Sequence, residues 1–144
     1  MAIESTLDTI TLSNGFSFSY GSVTGGTYIE YNGIRLTNLE KGHVMGRLEV
    51  RPELLNPNKT LHGGVYGTLA DTVAIFGCVF FYEVASITTI NISLSFLKPA
   101  KSGTIFAEAR MMSQGKSISH WQVDMTDEEG QLLAAAFVSY AIKH

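Results

Sequence analysis

Asp71 is the only formal charge between His62 and Glu83, and its neighbours Leu69, Ala70, Ala74, Ile75 and Phe76 are all apolar. A helix of this character is too hydrophobic to lie on a surface. Burying a carboxylate is costly unless a partner pairs with it or a reaction uses it. Two roles are open to Asp71. One is chemical; in the other, Thr68, Thr72 or a neighbouring chain satisfies a structural carboxylate.

His62-Gly63-Gly64 opens the same helix. The first turn of a helix carries unpaired N–H groups at the positive end of its dipole. Glycine at 63 and 64 lets a ligand approach them, where they can polarise a carbonyl and hold a developing oxyanion. Asn56 upstream and Asp71 downstream make the pattern more specific than His-Gly-Gly alone. Gly63, Gly67, Asp71, Ala74 and Cys78 follow at intervals of four, four, three and four, which places them on one small-sided face. That face either admits a ligand or packs closely on a sheet. Asp71 lies eight residues beyond Gly63, about 12 Å along the helix axis. An N–H and a carboxylate acting on one carbonyl must each lie within roughly 3–4 Å of it. The two groups of one chain are therefore too far apart. A two-fold dimer, with Gly63 of one subunit facing Asp71 of the other, removes the difficulty.

The elements around these residues read as follows. The helix is predicted over about 64–81. Residues 1–26, rich in Ser, Thr and Gly, form an N-terminal arm or edge strand, with a short alternating stretch from Phe16 to Tyr20. Residues 27–144 form the main domain. Tyr28 to Tyr31 and Arg35 to Leu39 flank Asn32-Gly33, a hairpin-type turn signal. Val44 to Val50 alternates as a half-buried strand, and Pro52 ends it. After the helix, the stretch from Ile87 to Leu97 sets Ile90, Ile92, Leu94 and Phe96 against Thr89, Asn91, Ser93 and Ser95. Strands over 104–112, 118–126 and 132–142 follow. The short turns between them imply an antiparallel meander. A helix that is apolar nearly all round must be wrapped. The expected fold is α+β, a curved antiparallel sheet around one long central helix.

Composition narrows the function. The 144 residues suit a single domain, only 16% are charged, and the net charge is −3. Sparse surface charge points to an oligomer. No basic run or aromatic-basic interleaving is present, so nucleic acid is not an expected partner. Cys78, the only cysteine, cannot form an intrachain disulfide and reads as a small buried hydrophobe. Met1 to Ser5 lacks the parts of a signal peptide, and Ala141 to His144 is not a peroxisomal address. Residues 64–82 are long enough to span a bilayer, but Asp71, Thr68 and Thr72 argue against a membrane. A reducing cytoplasm is the default location. His43 and His120 stand alone in strands without Cys or acidic residues at ligand spacing, so neither a metal nor another cofactor is expected.

The run from Asn56 to Gly64, followed by Thr68-Leu69-Ala70-Asp71, resembles the hotdog-fold acyl-CoA thioesterases of the phenylacetyl-CoA thioesterase type. Asn91 to Ala100 and Gln114-Gly115-Lys116-Ser117 resemble the family's next strand, turn and hairpin. The similarity spans about Gly33 to Ile142. It implies a hotdog fold and roles for single residues. Asp71 matches the catalytic carboxylate, as general base or nucleophile. Gly63 matches the backbone donor to the thioester oxygen. Asn56 matches the side chain that places the thioester or the water, and Thr89 falls where a Ser or Thr holds that water. His62 matches a histidine that supports the loop, and Gly64 lies beside it in the binding turn. Coenzyme A carries phosphates, so cations are expected at the cleft mouth. Lys98, Lys101, Arg110 and Lys116 lie near strand ends, and the resemblance favours the turns at Lys98 to Lys101 and at Gly115-Lys116.

The resulting expectation is an aryl- or medium-chain acyl-CoA thioesterase that releases free acid and CoA. It would act as a homodimer at least, or as a homotetramer built of two dimers. Burial is expected to make Asp71 a better base. Two other readings stay open: a non-catalytic acyl-CoA-binding protein, and a hotdog enoyl-thioester hydratase or dehydratase. The latter usually pairs a histidine with its acid, and this helix offers no second histidine. Phe76, Phe80, Phe81, Tyr82, Leu94 and Phe96 either line an acyl pocket or form the core.

Overall fold

The computed structural model describes residues 5–82 and 86–144. The signal-peptide reading of the N-terminus rests on residues 1–4, outside the described residues. The chain begins with a small hairpin, β1 (Thr9–Thr11) and β2 (Ser17–Ser19), and two short helices, α1 (Tyr20–Thr24) and α2 (Tyr28–Asn32). Strands β3 (Arg35–Glu40) and β4 (His43–Glu49) lead through a 3-10 turn at Pro52–Leu54 to the long helix α3 (Gly63–Tyr82). Strands β5 (Ser86–Phe96), β6 (Thr104–Gln114), β7 (Ile118–Thr126) and β8 (Leu132–Lys143) complete it.

A six-stranded, wholly antiparallel sheet in the order β3-β4-β6-β7-β8-β5 packs one face on α3. The alternation read from sequence sets that face. Val44 and Leu48 of β4, and Trp121, Val123 and Met125 of β7, point inward and are fully buried. Residues from Val65 to Cys78 are buried on most sides of α3. Its 20 residues and mean hydropathy of 1.6 would suit a membrane span, yet 61% of that stretch is buried inside this chain. Ile10, Leu12 and Tyr20 from the first 26 residues also enter the core.

Three expectations are corrected. Asn32-Gly33 does not turn a hairpin. Residues 28–32 are helical, and Gly33, left-handed at φ 74°, closes that helix with its N–H bonded to Glu30 O and Ile29 O. An Asn-Gly pair serves a primed hairpin turn and a left-handed helix cap equally well. Tyr20, read as the end of a strand, begins α1. The four strands after the helix are also not one meander. β6, β7 and β8 are, but β5 pairs with β8 at the sheet's far edge. Its connector, residues 97–103, must cross three strand spacings, about 14 Å, and seven residues reach up to about 23 Å. Leu97 and Lys98 N–H both donate to Leu133 O on the way, at 2.9 and 3.1 Å.

At Gly77 the helix lies close on the sheet. A Cβ there would sit 2.3 Å from Trp121 Cη2. Trp121 is fully buried and its Nε1 donates to Ser119 Oγ at 2.9 Å, so it has no room to yield. Alanine in a helix gains about 1 kcal/mol over glycine, but overpacking a filled core costs about 1–3 kcal/mol or more. Gly77→Ala is expected to lower stability by about 1–2 kcal/mol in urea denaturation. Unchanged or higher stability would mean that the helix–sheet contact is looser than described.

Candidate active site

Three loops and strands meet at the start of α3. Asn56 organises the loop before it: its Oδ1 accepts from the N–H groups of Asn58 and Thr60 at 3.0 and 3.2 Å, and its Nδ2 donates to Thr60 Oγ1 at 2.9 Å. The turn is held from outside as well, since Leu61 N–H donates to Ala100 O at 2.8 Å. His62 caps the helix. Its Nδ1 accepts from Gly64 N–H at 2.9 Å, and its carbonyl accepts from Val65 N–H at 2.9 Å. Two of the first-turn donors are thus taken. Gly63 N–H has no hydrogen-bond partner among the described residues. An accounting of donors singles out Gly63 as the one able to bind an incoming oxygen.

Asn56, Gly63, Tyr66, Phe96, Lys98 and Pro99 line a cavity of about 320 Å³ around that N–H. Phe96 packs edge-on against Tyr66, ring centroids 5.8 Å apart. The Tyr66 hydroxyl is buried with no partner among the described residues. Lys98 reaches from the cavity rim to Gln131 Oε1, 2.6 Å away. Lys101 is exposed on the same connector.

Asp71 lies two turns further along α3, in a second cavity of about 460 Å³ lined by Tyr28, Ile29, Gly67, Ile75 and Ile92. The carboxylate is half-buried, where the sequence suggested full burial, because this chain's sheet leaves that part of the helix open. Thr89 Oγ1 donates to Asp71 Oδ1 at 2.9 Å. The Tyr140 hydroxyl lies 2.9 Å from the same Oδ1 and 3.0 Å from the Asp71 carbonyl oxygen. Oδ2 has no hydrogen bond among the described residues.

Thr89 reaches Asp71 through an irregularity. Strict alternation would place Thr89 on the face opposite Ile92, Leu94 and Phe96. The register of β5 against β8 shifts between Thr89 and Asn91, leaving Ile90 as the extra residue of a bulge. The phase flips there, so Thr89 shares the inner face with Ile92, Leu94 and Phe96. Bulges commonly re-aim a side chain beside a functional site. Along this face β5 shadows the helix: a Cβ on Gly63 would meet Phe96 Cζ at 3.2 Å, and one on Gly67 would meet Leu94 Cδ1 at 3.3 Å. The small-sided helix face thus serves close packing at Gly63 and Gly67 and leaves two groups, Gly63 N–H and Asp71 Oδ2, without partners among the described residues.

Some residues singled out in the sequence lie elsewhere. Gly115 and Lys116 sit at the far end of α3, where Tyr82 OH donates to Gly115 O at 2.8 Å and His144 Nε2 lies 3.0 Å from Lys116 O. They do not meet Gly63 within the chain. Arg110 is paired with Glu108 at 2.8 Å, and Glu108 also holds His43 Nε2 at 2.7 Å. For His43 this partner is invisible in linear spacing, because Glu108 comes from the neighbouring strand. Phe76 belongs to the core. Cys78 is fully buried, and burial pushes its thiol up to about 11. Tyr28, Ile29, Ile75, Ile92 and Tyr140 were not foreseen. Tyr28 and Ile29 were hidden by the hairpin reading of Asn32-Gly33, and Tyr140 has no local signal.

A family description of the thioesterase superfamily matches residues 58–134, and the chain belongs to that superfamily. It is 32% identical over 112 residues to the 1,4-dihydroxy-2-naphthoyl-CoA hydrolase of Listeria monocytogenes, covering 77% of this chain and 91% of the relative. It is 30% identical over 103 residues to human acyl-coenzyme A thioesterase 13, covering 70% and 74%. Among solved structures, a Haemophilus influenzae thioesterase superposes with a TM-score of 0.80 at 23% identity, over 86% of this chain and 87% of the other. The Escherichia coli PaaI protein does so with 0.77 at 20%, over 85% and 88%. The architecture is the hotdog fold, and the protein is a thioester hydrolase.

Proposed function

We propose that this protein hydrolyses an aryl- or medium-chain acyl-CoA to the free acid and CoA, at two composite sites of a dimer. The observation that carries the reading is the pair of unsatisfied groups on one helix face: Gly63 N–H in one cavity and Asp71 Oδ2 in the other. Their separation along α3, about 12 Å, is too great for one carbonyl. The geometry of β5 supports a solution. Beyond its pairing with β8, its outer edge has no strand partner among the described residues. It also exposes Ile90, Ile92 and Phe96, and Leu97 just beyond it is exposed as well. A long apolar edge is seldom left uncovered. Antiparallel pairing of two β5 edges, centred between Thr89 and Phe96, swaps the ends. Phe96, over Gly63, would then lie beside the other chain's Thr89, over its Asp71.

In this arrangement the thioester oxygen accepts from Gly63 N–H, with the second Nδ2 hydrogen of Asn56 as a further donor in the same cavity. Asp71 of the partner subunit takes a proton from water through Oδ2. The water oxygen attacks the carbonyl carbon, and the tetrahedral oxyanion collapses with expulsion of the CoA thiolate, which is then protonated. The acyl group lies against Tyr28, Ile29, Ile75 and Ile92. Lys98 at the cavity rim, with Lys101 exposed further along the same connector, would meet the phosphates. The Gly115-Lys116 hairpin of the second subunit would lie about 16 Å beyond Asp71 along its helix, within the span of an extended pantetheine arm. Pairing two such dimers would give the expected tetramer.

Release of free thiol from phenylacetyl-, benzoyl-, hydroxybenzoyl-, hexanoyl- and palmitoyl-CoA tests this directly. Turnover is expected with the aryl and hexanoyl substrates. The benzoyl–hydroxybenzoyl pair reads whether the cavity lined by Tyr28, Ile29, Ile75 and Ile92 takes a ring hydroxyl. No turnover by a folded dimer would overturn the reading.

A further inference from the structure

We propose that Tyr140 is a positioning residue: with Thr89 it clamps one oxygen of Asp71 and turns the other toward the substrate groove. The inference rests on the reading of Asp71 as the base. Thr89 and Tyr140 are directly opposed across β5 and β8, and both face α3. Their hydroxyls converge on Oδ1, each at 2.9 Å. Two donors on one carboxylate oxygen fix the plane of the group and leave Oδ2 as the free acceptor. Tyr140 is fully buried, so its position is set by packing. The Asp71 carbonyl, 3.0 Å away, is a second acceptor for the same single proton, so the hydroxyl is held between the backbone and the side chain of the residue it orients. Burial, and then the Asp71 charge, push the phenol far above its usual range. The neutral phenol is thereby favoured as a donor to Asp71.

A purely structural tyrosine would affect folding and leave the chemistry of the folded enzyme alone. A clamp acts on the reacting carboxylate and should appear in kcat. Tyr140→Phe removes only the hydroxyl and keeps the ring volume. The expected result is a kcat lowered about 10- to 100-fold, the range for a lost hydrogen bond to a charged group, with KM changed less than threefold. Thr89→Val, which removes the other donor, should show the same split. In an Asp71→Asn background, adding Tyr140→Phe should cost nothing further, because the group it orients no longer acts. Wild-type kcat in both single variants would overturn the clamp. So would a loss fully additive with Asp71→Asn, or a KM effect larger than the kcat effect. If Asp71→Asn itself keeps wild-type turnover, the underlying reading of Asp71 fails instead.

Discussion

Asp71→Asn is expected to lower kcat and kcat/KM together, by about 10²- to 10⁴-fold, the contribution typical of a positioned general base. The substitution suits the site. Asparagine keeps the shape and an Oδ1 that can accept from Thr89 and Tyr140, which hold that oxygen at 2.9 Å. Its amide then points where Oδ2 pointed, and an amide cannot accept a proton from water at neutral pH. Folding should survive, because the group is half-buried and opens on a cavity. A matched fall in both constants would mark an interaction that operates in the transition state. A rise in KM alone would make Asp71 a binding group, and unchanged turnover would make it structural. The acyl-CoA-binding alternative predicts that ligand affinity persists in the variant with no turnover in either form. The hydratase alternative predicts activity on an enoyl-CoA that Asp71→Asn abolishes without any release of thiol.

Much of this site could be read from sequence where its causes are local. Helix α3 was legible because 20 residues without proline or a second charge, opened by glycine, have little choice but to form a buried helix. The strands were legible by their period of two, since each has one face on the helix. The misreadings have nonlocal causes. Asn32-Gly33 supplies a left-handed backbone to a hairpin or a helix end alike, and packing beside α3 decides between them. The far-edge position of β5 depends on where the helix sets the chain down, which alternation does not record. Thr89 shows the problem most sharply. Alternation put it on the wrong face, while the family resemblance put it beside Asp71. The Ile90 bulge reconciles the two, and no turn residue announces that bulge. Tyr140 sits nearly 70 positions from Asp71 and reads as one more inward strand residue. Only the register of β5 on β8 reveals that its hydroxyl meets a carboxylate.

Gly63→Pro is expected to reduce kcat about 10²- to 10³-fold, the usual cost of losing one oxyanion donor. Gly63 is the first residue of α3, the position where proline is best tolerated, because its missing N–H has no intrahelical partner. The cap should persist, since the donor to His62 Nδ1 belongs to Gly64. A new Cβ meets Phe96 Cζ at 3.2 Å, so the ring must shift by a few tenths of an ångström. Gly63→Ala adds the same carbon but keeps the N–H. Loss in the proline variant with activity kept in the alanine variant would assign the effect to the donor. Equal loss in both would assign it to crowding. The two disabled proteins together then decide where the site lies. If Gly63 works with Asp71 of the partner subunit, a hybrid of Gly63→Pro and Asp71→Asn chains holds one intact site and one doubly damaged one. Random reassortment makes half of the dimers hybrids, so about a quarter of the wild-type sites return. If each site were built within one chain, every chain in the mixture would still carry its own lesion, and mixing would restore nothing.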